Sequence, residues 1–396
     1  MKMDTSVPVV VLACGHAGEG WVPGYGPLGI ARSLGRLGVA TYVVRDKGLA
    51  PMPVSRYWKR TFTWDLSSPV DASMRFLLAI AGRVGARPIL LHTTDRPAMF
   101  VAENADVLDQ AFVLPKVAPS TIRSLTNKWH LSFLAKEHGI PTPQTVLPRS
   151  REEVEHFLST AQFPIMLKGA NPLLPSGKTK EIVHTARQLL EKYDRFADTG
   201  APNLMLQEYI PGGDDAVWMC NAYFDQRSEC LAAFTGKKIR QWPAYAGVAS
   251  LAVCLRNDVV KRATTQLMKA VSYQGLVGIG YRYDARDGSY KVLDVNPRVS
   301  AVFRLFVTAN GMDVVRVCYL DLTGQPIPPL APMNGRKWIL EEDIFSSLRY
   351  WREGNLAFRQ WVTSLWGIRE TAWFARDDPL PFLVWCWKRF GKWTRS

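Results

Sequence analysis

Short unbroken apolar runs alternate with helical periodicity through the first hundred residues. Val9-Val10-Val11-Leu12-Ala13 has no polar break, as a strand covered on both faces requires. Pro8 precedes it, where no ladder hydrogen bond has to be donated. Leu28 to Leu37 repeats its apolar positions at helical spacing, and Val39 to Val44 is a second strand-like run. A helix near Ala72 to Val84 and a strand at Pro88-Ile89-Leu90-Leu91 continue the alternation. Gly15, Gly18, Gly20, Gly24, Gly26 and Gly29 follow the first strand. Strand, glycine loop, helix and strand open a doubly wound α/β unit. The glycines do not make GxGxxG with an acidic residue at the next strand end, so tight turns and close helix packing account for them first, phosphate binding second.

From Ser120 the pattern changes. Ser124 to His138 carries Leu125, Trp129, Leu131, Leu134 and Ala135 on one helical face, closed by Gly139. A strand at Gln144 to Leu147 and a helix at Arg151 to Thr160 follow. Phe163 to Gly169 is a strand that ends in Lys168, and Leu204 to Ile210 is another, closed by Pro211-Gly212. Val217 to Tyr223 pairs with Cys230 to Lys238, and Asp258 to Ser272 is helical. Gly278 to Tyr283 pairs with Ser289 to Val295 across Arg286-Asp287-Gly288. This is an α+β block. Beyond Ala331 the chain holds eight of its fourteen tryptophans, with helices expected around Asp343–Glu353 and Leu356–Leu365. The expected organisation is a doubly wound α/β domain over residues 1–118, an α+β block over 119–330, and a helical Trp-rich extension over 331–396.

Composition narrows the partners. With 396 residues, 47% hydrophobic and 21% charged, the chain can bury two or three substantial cores. Its net charge of +14 favours anionic partners. No dense Lys/Arg block interleaves with aromatics, which argues against a nucleic-acid groove. Six cysteines are scattered without a CxxC pair, so neither a zinc site nor a dithiol motif is indicated. The Met-Lys-Met-Asp start lacks a signal-peptide pattern, and no apolar run reaches the roughly 20 residues that span a bilayer. A cytoplasmic protein is expected. Pro379 to Ser396 mixes Trp and Phe with Lys and Arg, which suits a helix seated among headgroups at the inner membrane face. The other reading of that tail is packing on the rest of the protein, which Asp377-Asp378-Pro379 and Pro381 favour by breaking the helix start.

The candidate chemistry concentrates at Tyr290-Lys291-Val292-Leu293-Asp294-Val295-Asn296-Pro297-Arg298. Asp294 and Asn296 share one strand face, Pro297 ends the ladder, and Arg298 follows at once. A carboxylate and an amide oxygen suit a hard cation such as Mg²⁺, and Arg suits phosphate or carboxylate. Other motifs stand in order before it: Thr126-Asn127-Lys128 with Gly139-Ile140-Pro141-Thr142-Pro143, Pro164-Ile165-Met166-Leu167-Lys168, and Gln207-Glu208-Tyr209-Ile210-Pro211-Gly212. Together they resemble the ATP-grasp superfamily of carboxylate–amine ligases, and within it the D-aspartate ligase-like branch, over roughly residues 8 to 325.

The resemblance implies a pre-ATP-grasp domain followed by two ATP-grasp lobes hinged near 207–212, with ATP and Mg²⁺ between them. It implies Lys128 and Lys168 on the α- and β-phosphates, a phosphate-covering loop with Ser176, and the hinge at Gln207, Glu208 and Ile210 on the adenine. Asp214 would take the ribose. Asp294 and Asn296 would hold the metal. The position expected from the hairpin register for a further metal carboxylate is Tyr281, which cannot serve. Asp284 is the candidate, provided the strand bulges. Lys238 and Arg240 would face the γ-phosphate and a substrate carboxylate, with Arg298 a catalytic cation and Arg304 a weaker candidate. The implied reaction joins a small-molecule carboxylate to an amine through an acyl phosphate. Bicarbonate activation and a non-catalytic nucleotide scaffold are the alternatives.

Overall fold

The computed structural model of the protein describes residues 3–14, 24–47, 51–65, 67–171, 174, 180–197, 203–245 and 247–390. In the first domain, strands β1 (Val9–Ala13), β2 (Thr41–Arg45), β3 (Trp58–Thr63) and β4 (Ile89–His92) form a parallel sheet in the order β3-β2-β1-β4. Every residue of β1 is buried, the reason for its unbroken apolar run. Helix α1 (Tyr25–Gly35) covers one face, and α2 (Val70–Val84), α3 (Asp95–Glu103) and α4 (Ala105–Leu108) lie on the other side of the sheet.

The amphipathic run expected as one helix from Ser124 is two. Helix α5 (Pro119–Thr126) stops at Asn127, whose backbone is extended. Its side chain then accepts hydrogen bonds from the N–H groups of Trp129 and His130, starting α6 (Lys128–Glu137). The break puts Lys128 at the first position of a helix, where its backbone N–H reaches the Ala170 carbonyl at 2.9 Å.

A small antiparallel sheet follows in the order β5-β8-β6-β7, from β5 (Thr145–Val146), β6 (Ile165–Gly169), β7 (Lys180–Val183) and β8 (Leu204–Glu208). Helices α7 (Arg151–Leu158) and α8 (Ala186–Ala197) bury Val154, Phe157 and Leu189 against it.

The large sheet has seven strands in the order β13-β12-β9-β10-β11-β14-β15. These are β9 (Val217–Phe224), β10 (Cys230–Trp242), β11 (Val248–Cys254), β12 (Gly275–Asp284), β13 (Ser289–Asn296), β14 (Lys337–Ile339) and β15 (Ile368–Thr371). Helix α9 (Asp258–Ala270) packs with α5 and α6 on one face. Helix α10 (Val314–Leu322) packs on the other face, together with α1 of the first domain, so both domains share a core.

The C-terminal extension is not purely helical. It supplies α11 (Asp343–Arg352), α12 (Phe358–Ser364) and α13 (Leu380–Phe390), but also β14 and β15. β14 pairs with β11, so the large sheet runs across the boundary expected at 330. Trp338, Trp373 and Trp385 are buried in the shared core, whereas Trp351, Trp366 and Trp387 are exposed.

Candidate active site

The edge strand β13 delivers Asp294 and Asn296 to one face, as period-two alternation requires. Asn296 Nδ2 donates to Asp294 Oδ2 at 2.7 Å. Arg298 Nη2 donates to Asn296 Oδ1 at 2.8 Å, and its Nε donates to Asp95 Oδ1 at 2.7 Å. Asp95 begins α3, just beyond the C-terminal end of β4. The first domain therefore aims Arg298, and the sequence reading missed Asp95. The available signal was position, since ligand groups gather at the carboxyl ends of strands in doubly wound sheets. His92, at the end of β4, is held near pKa 4, chiefly by burial. It is neutral, and its Nε2–H donates to the Pro297 carbonyl at 3.1 Å. Val299 N–H returns a bond to the His92 carbonyl at 3.2 Å.

Four lysines from four elements surround Asp294. Lys128 starts α6, Lys168 lies near the end of β6, Lys180 starts β7 and Lys238 lies in β10, and each feels Asp294 as a favourable charge. Lys168 and Lys180 are direct cross-strand partners. Like charges in that position repel. Desolvation lowers the Lys168 pKa to about 7, and the neighbouring ammonium of Lys128 adds to it. Desolvation also lowers Lys238, to about 8. Lys128 and Lys180 shift down for the same first reason, although Lys180 remains open to solvent at the cleft. Lys180 was missed as an individual site residue, and only the strand register shows it facing Lys168. Lys238 Nζ donates to Gln241 Oε1 at 2.9 Å and to the Gly247 carbonyl at 2.8 Å.

The segment expected as the hinge is tied to the large sheet by a residue not foreseen. Arg282 of β12 donates from Nε to the Ile210 carbonyl at 2.8 Å and stacks over Tyr209 with 5.9 Å to the ring centroid. Glu208 N–H reaches the Gln144 carbonyl at 2.8 Å. Gln207 is buried and donates to Thr145 Oγ1 at 2.9 Å, so its amide N–H serves the small sheet. Asp214 accepts from Gln241 Nε2 at 2.7 Å and from the Tyr350 hydroxyl of α11. The C-terminal extension thus holds the carboxylate expected at the ribose.

Several expected residues stand elsewhere. Asp284 does not join the Asp294–Asn296 pair. The anticipated bulge exists, between Gly280 and Tyr281, yet Asp284 pairs with Ser289 at the far end of the hairpin. There it is fully buried and bound by Arg286 and Lys291, with Lys291 Nζ at 2.7 Å. Its carboxyl is held well below the usual range, first by the Arg286 hydrogen bond. Gly280 stands opposite Asp294 instead, while Tyr281 is buried with its hydroxyl 2.9 Å from Thr264 Oγ1. Arg240 does not face the cleft either. It is buried against Asp343, with Nη2 2.6 Å from Oδ2, and its Nη1 donates to Ser364 Oγ at 2.8 Å. Arg304 is similarly enclosed by Asp313 and Glu370. Ser176 and most of its loop lie outside the described residues.

Among the described residues no group of three or more His, Cys, Asp or Glu could hold a metal. One carboxylate and one amide oxygen nevertheless fit Mg²⁺, which keeps few protein ligands and takes the rest from phosphates and water. The four ammonium groups around that pair suit the phosphates themselves.

No family model matches the chain. It is 26% identical over 261 residues to a D-aspartate ligase of Enterococcus faecium, a match covering 62% of this chain and 58% of that protein. The matched region is thus under two thirds of the relative's own length. Among solved structures, an L-amino acid ligase from Bacillus licheniformis aligns with TM-score 0.59 at 14% identity, over 84% of this chain and 76% of that one. The biotin carboxylase domain of Hydrogenobacter thermophilus 2-oxoglutarate carboxylase, in complex with MgADP, ADP and bicarbonate, aligns with TM-score 0.60 at 15% identity, over 83% of this chain and 73% of that one. The chain is thus similar in sequence to a ligase and shares its fold with these ligase and carboxylase structures.

Proposed function

We propose that this protein is an ATP-dependent ligase that joins a small-molecule carboxylate to an amine through an acyl phosphate, releasing ADP and phosphate. The convergence of Lys128, Lys168, Lys180 and Lys238 on the Asp294–Asn296–Arg298 cluster carries the reading. Nucleotide would lie between the small and large sheets, with adenine at the hinge near Glu208 and Ile210 and the ribose at Asp214. Asp294 and Asn296 would hold Mg²⁺, which supplies charge neutralisation at the phosphoryl oxygens.

The chain's own groups do the remaining work. Lys168 and Lys238 give up an unfavourable apo state when an anion arrives, so phosphate relieves repulsion already present in the cleft. The lysines neutralise charge that builds on the transferred phosphoryl group. Arg298, aimed by Asp95, would meet the substrate carboxylate and later the oxyanion formed when the amine attacks the acyl phosphate. Closure of the small sheet over the large one would exclude water from that intermediate.

The test is ADP release from ATP and Mg²⁺ during a screen of amino acids and related amines. ADP formation that requires both a carboxylate and an amine supports the reading. Undiminished nucleotide consumption by the Asp294→Ala/Asn296→Ala double variant would overturn it. The likeness to a carboxylase bound to bicarbonate gives the second reading, in which bicarbonate takes the place of the carboxylate. ADP release dependent on bicarbonate alone would select it, and tight ATP binding without turnover would select a scaffold.

A further inference from the structure

Helix α11 is inside out. Its protein-facing side is Asp343, Ser346, Ser347 and Tyr350, all buried and polar. Its exposed side carries Ile344, Leu348 and Trp351 at positions i, i+4 and i+7, with Trp351 60% exposed. A water-facing helix normally shows the reverse. Helix α13 also exposes an apolar stripe, Leu380, Leu383, Trp387 and Phe390, although its buried residues, Pro381 and Trp385, are apolar as well. Phe358 and Val362 of α12 and Trp366 just after it are exposed too, Trp366 to 86%.

The three helices are held together at their inner sides. Arg240 binds Asp343 of α11 and Ser364 of α12. Glu342, just before α11, accepts from Trp385 Nε1 of α13 at 2.9 Å, and Arg389 of α13 lies 4.4 Å from the Phe345 ring centroid of α11. The three helices are therefore linked to one another through their inner sides. Cations stand on each helix: the exposed Arg352 on α11, Arg359 on α12 and Lys388 on α13, besides Arg349 and Arg389, whose guanidinium groups lie over the Tyr245 and Phe345 rings. The only acid within these helices is Asp343, neutralised by Arg240, and the exposed Glu353 that follows α11 pairs with Arg349.

We propose that this face docks on an anionic lipid surface. Trp and Phe side chains with interleaved Lys and Arg match the boundary between acyl chains and negative headgroups. Trp, Phe and Arg also occur at protein–protein interfaces; it is the excess of cations over acids along these helices that favours lipid, because an anionic surface complements it. No helix among the described residues is long and apolar enough to cross a membrane, so docking is in the plane of the surface. The inner face of α11 meets the candidate site through the Tyr350–Asp214 bond, so the docked helix is also a wall of the cleft.

The experiment is co-sedimentation of the full-length chain with phosphatidylglycerol–phosphatidylcholine vesicles and with pure phosphatidylcholine vesicles, alongside light scattering of the lipid-free protein. Wild type should bind the anionic vesicles at least tenfold more tightly than the neutral ones. Leu348→Glu/Trp351→Glu/Leu383→Glu/Trp387→Glu should lose at least tenfold. Trp351→Gln/Trp387→Gln, which adds no charge, should lose part of that affinity, with an unchanged melting temperature as evidence of folding. Absence of vesicle binding, or equal binding by a folded variant, overturns the proposal. So does a wild-type dimer that these substitutions split, because the face would then join two copies of the chain.

Discussion

Nucleotide binding at pH 8 should draw protons from solution. In the nucleotide-free protein Lys168 titrates at about 7 and Lys238 at about 8, both held down first by desolvation. At pH 8 the first is about nine-tenths neutral and the second about half neutral. An adjacent triphosphate restores the charged form of each. Complete restoration takes up roughly 1.4 protons per nucleotide at pH 8 and only about 0.1 at pH 6. Phosphate groups with a pKa near 6 are already ionised at pH 8, so the uptake belongs to the protein. Calorimetric titration of the Mg²⁺ complex of a non-hydrolysable ATP analogue in buffers of different ionisation enthalpy gives the proton number from the slope of the observed heat. Lys168→Met should lower it by about 0.9 at pH 8. The same shifts fix a sign for stability. Both folded pKa values lie below the ordinary 10.5, so the unfolded chain binds more protons from about 7 upward. These two groups therefore make the nucleotide-free fold more stable as pH rises from 7 towards 10.5. Measurable binding of that triphosphate analogue at pH 8 with no proton uptake would refute the electrostatic argument. Absence of binding would instead refute the proposed function.

Three further outcomes follow from the geometry. Arg240→Ala leaves Asp343 buried without its cation and should cost about 3–5 kcal/mol in denaturant unfolding; Arg240→Met with Asp343→Leu should recover most of it, and an Arg240→Ala loss below about 1 kcal/mol would show that the pair contributes little. An added methyl in Gly280→Ala would lie 2.3 Å from Asp294 Oδ1, so it should displace the carboxylate and weaken MgADP binding at least tenfold while the fold persists; unchanged Mg²⁺ dependence in calorimetry would contradict this placement. Asp95→Asn loosens Arg298 and should lower kcat at least tenfold with little change in KM for ATP, whereas a pure KM effect in steady-state kinetics would argue against the orienting role.

Local signals revealed the strands and the terminal motif because each needs only neighbours in sequence. An apolar run, a proline and an Asp-x-Asn spacing are sufficient to put Asp294 and Asn296 on one face at a strand end. Lys168 was legible for a similar reason, as a cation closing an apolar run. Asp284 was misplaced because the expected bulge does not bring it back along the strand: it stays opposite Ser289 at the turn end of the hairpin, where Arg286 and Lys291 enclose it. Arg240 was misread because its partner stands 103 residues away. A cation on a strand exit looks the same whether it meets phosphate or a buried aspartate. The break at Asn127 was also hidden, since apolar periodicity continues through it and only the extended backbone with its side-chain cap divides the helix.

The order of the motifs and the chemistry of the Asp294–Arg298 segment were determined by sequence alone, because they depend on side-chain type and strand parity. Tertiary structure decided which charges meet. The Lys168–Lys180 pairing, the Asp95 contact to Arg298 and the enclosure of Arg240 arise from strand register and domain packing, which bring together residues far apart in the chain. It also decided which tryptophans are covered. A composition that reads as one tail divides into buried anchors and an exposed stripe only when α11 turns its polar side inward to satisfy Arg240 and Asp214.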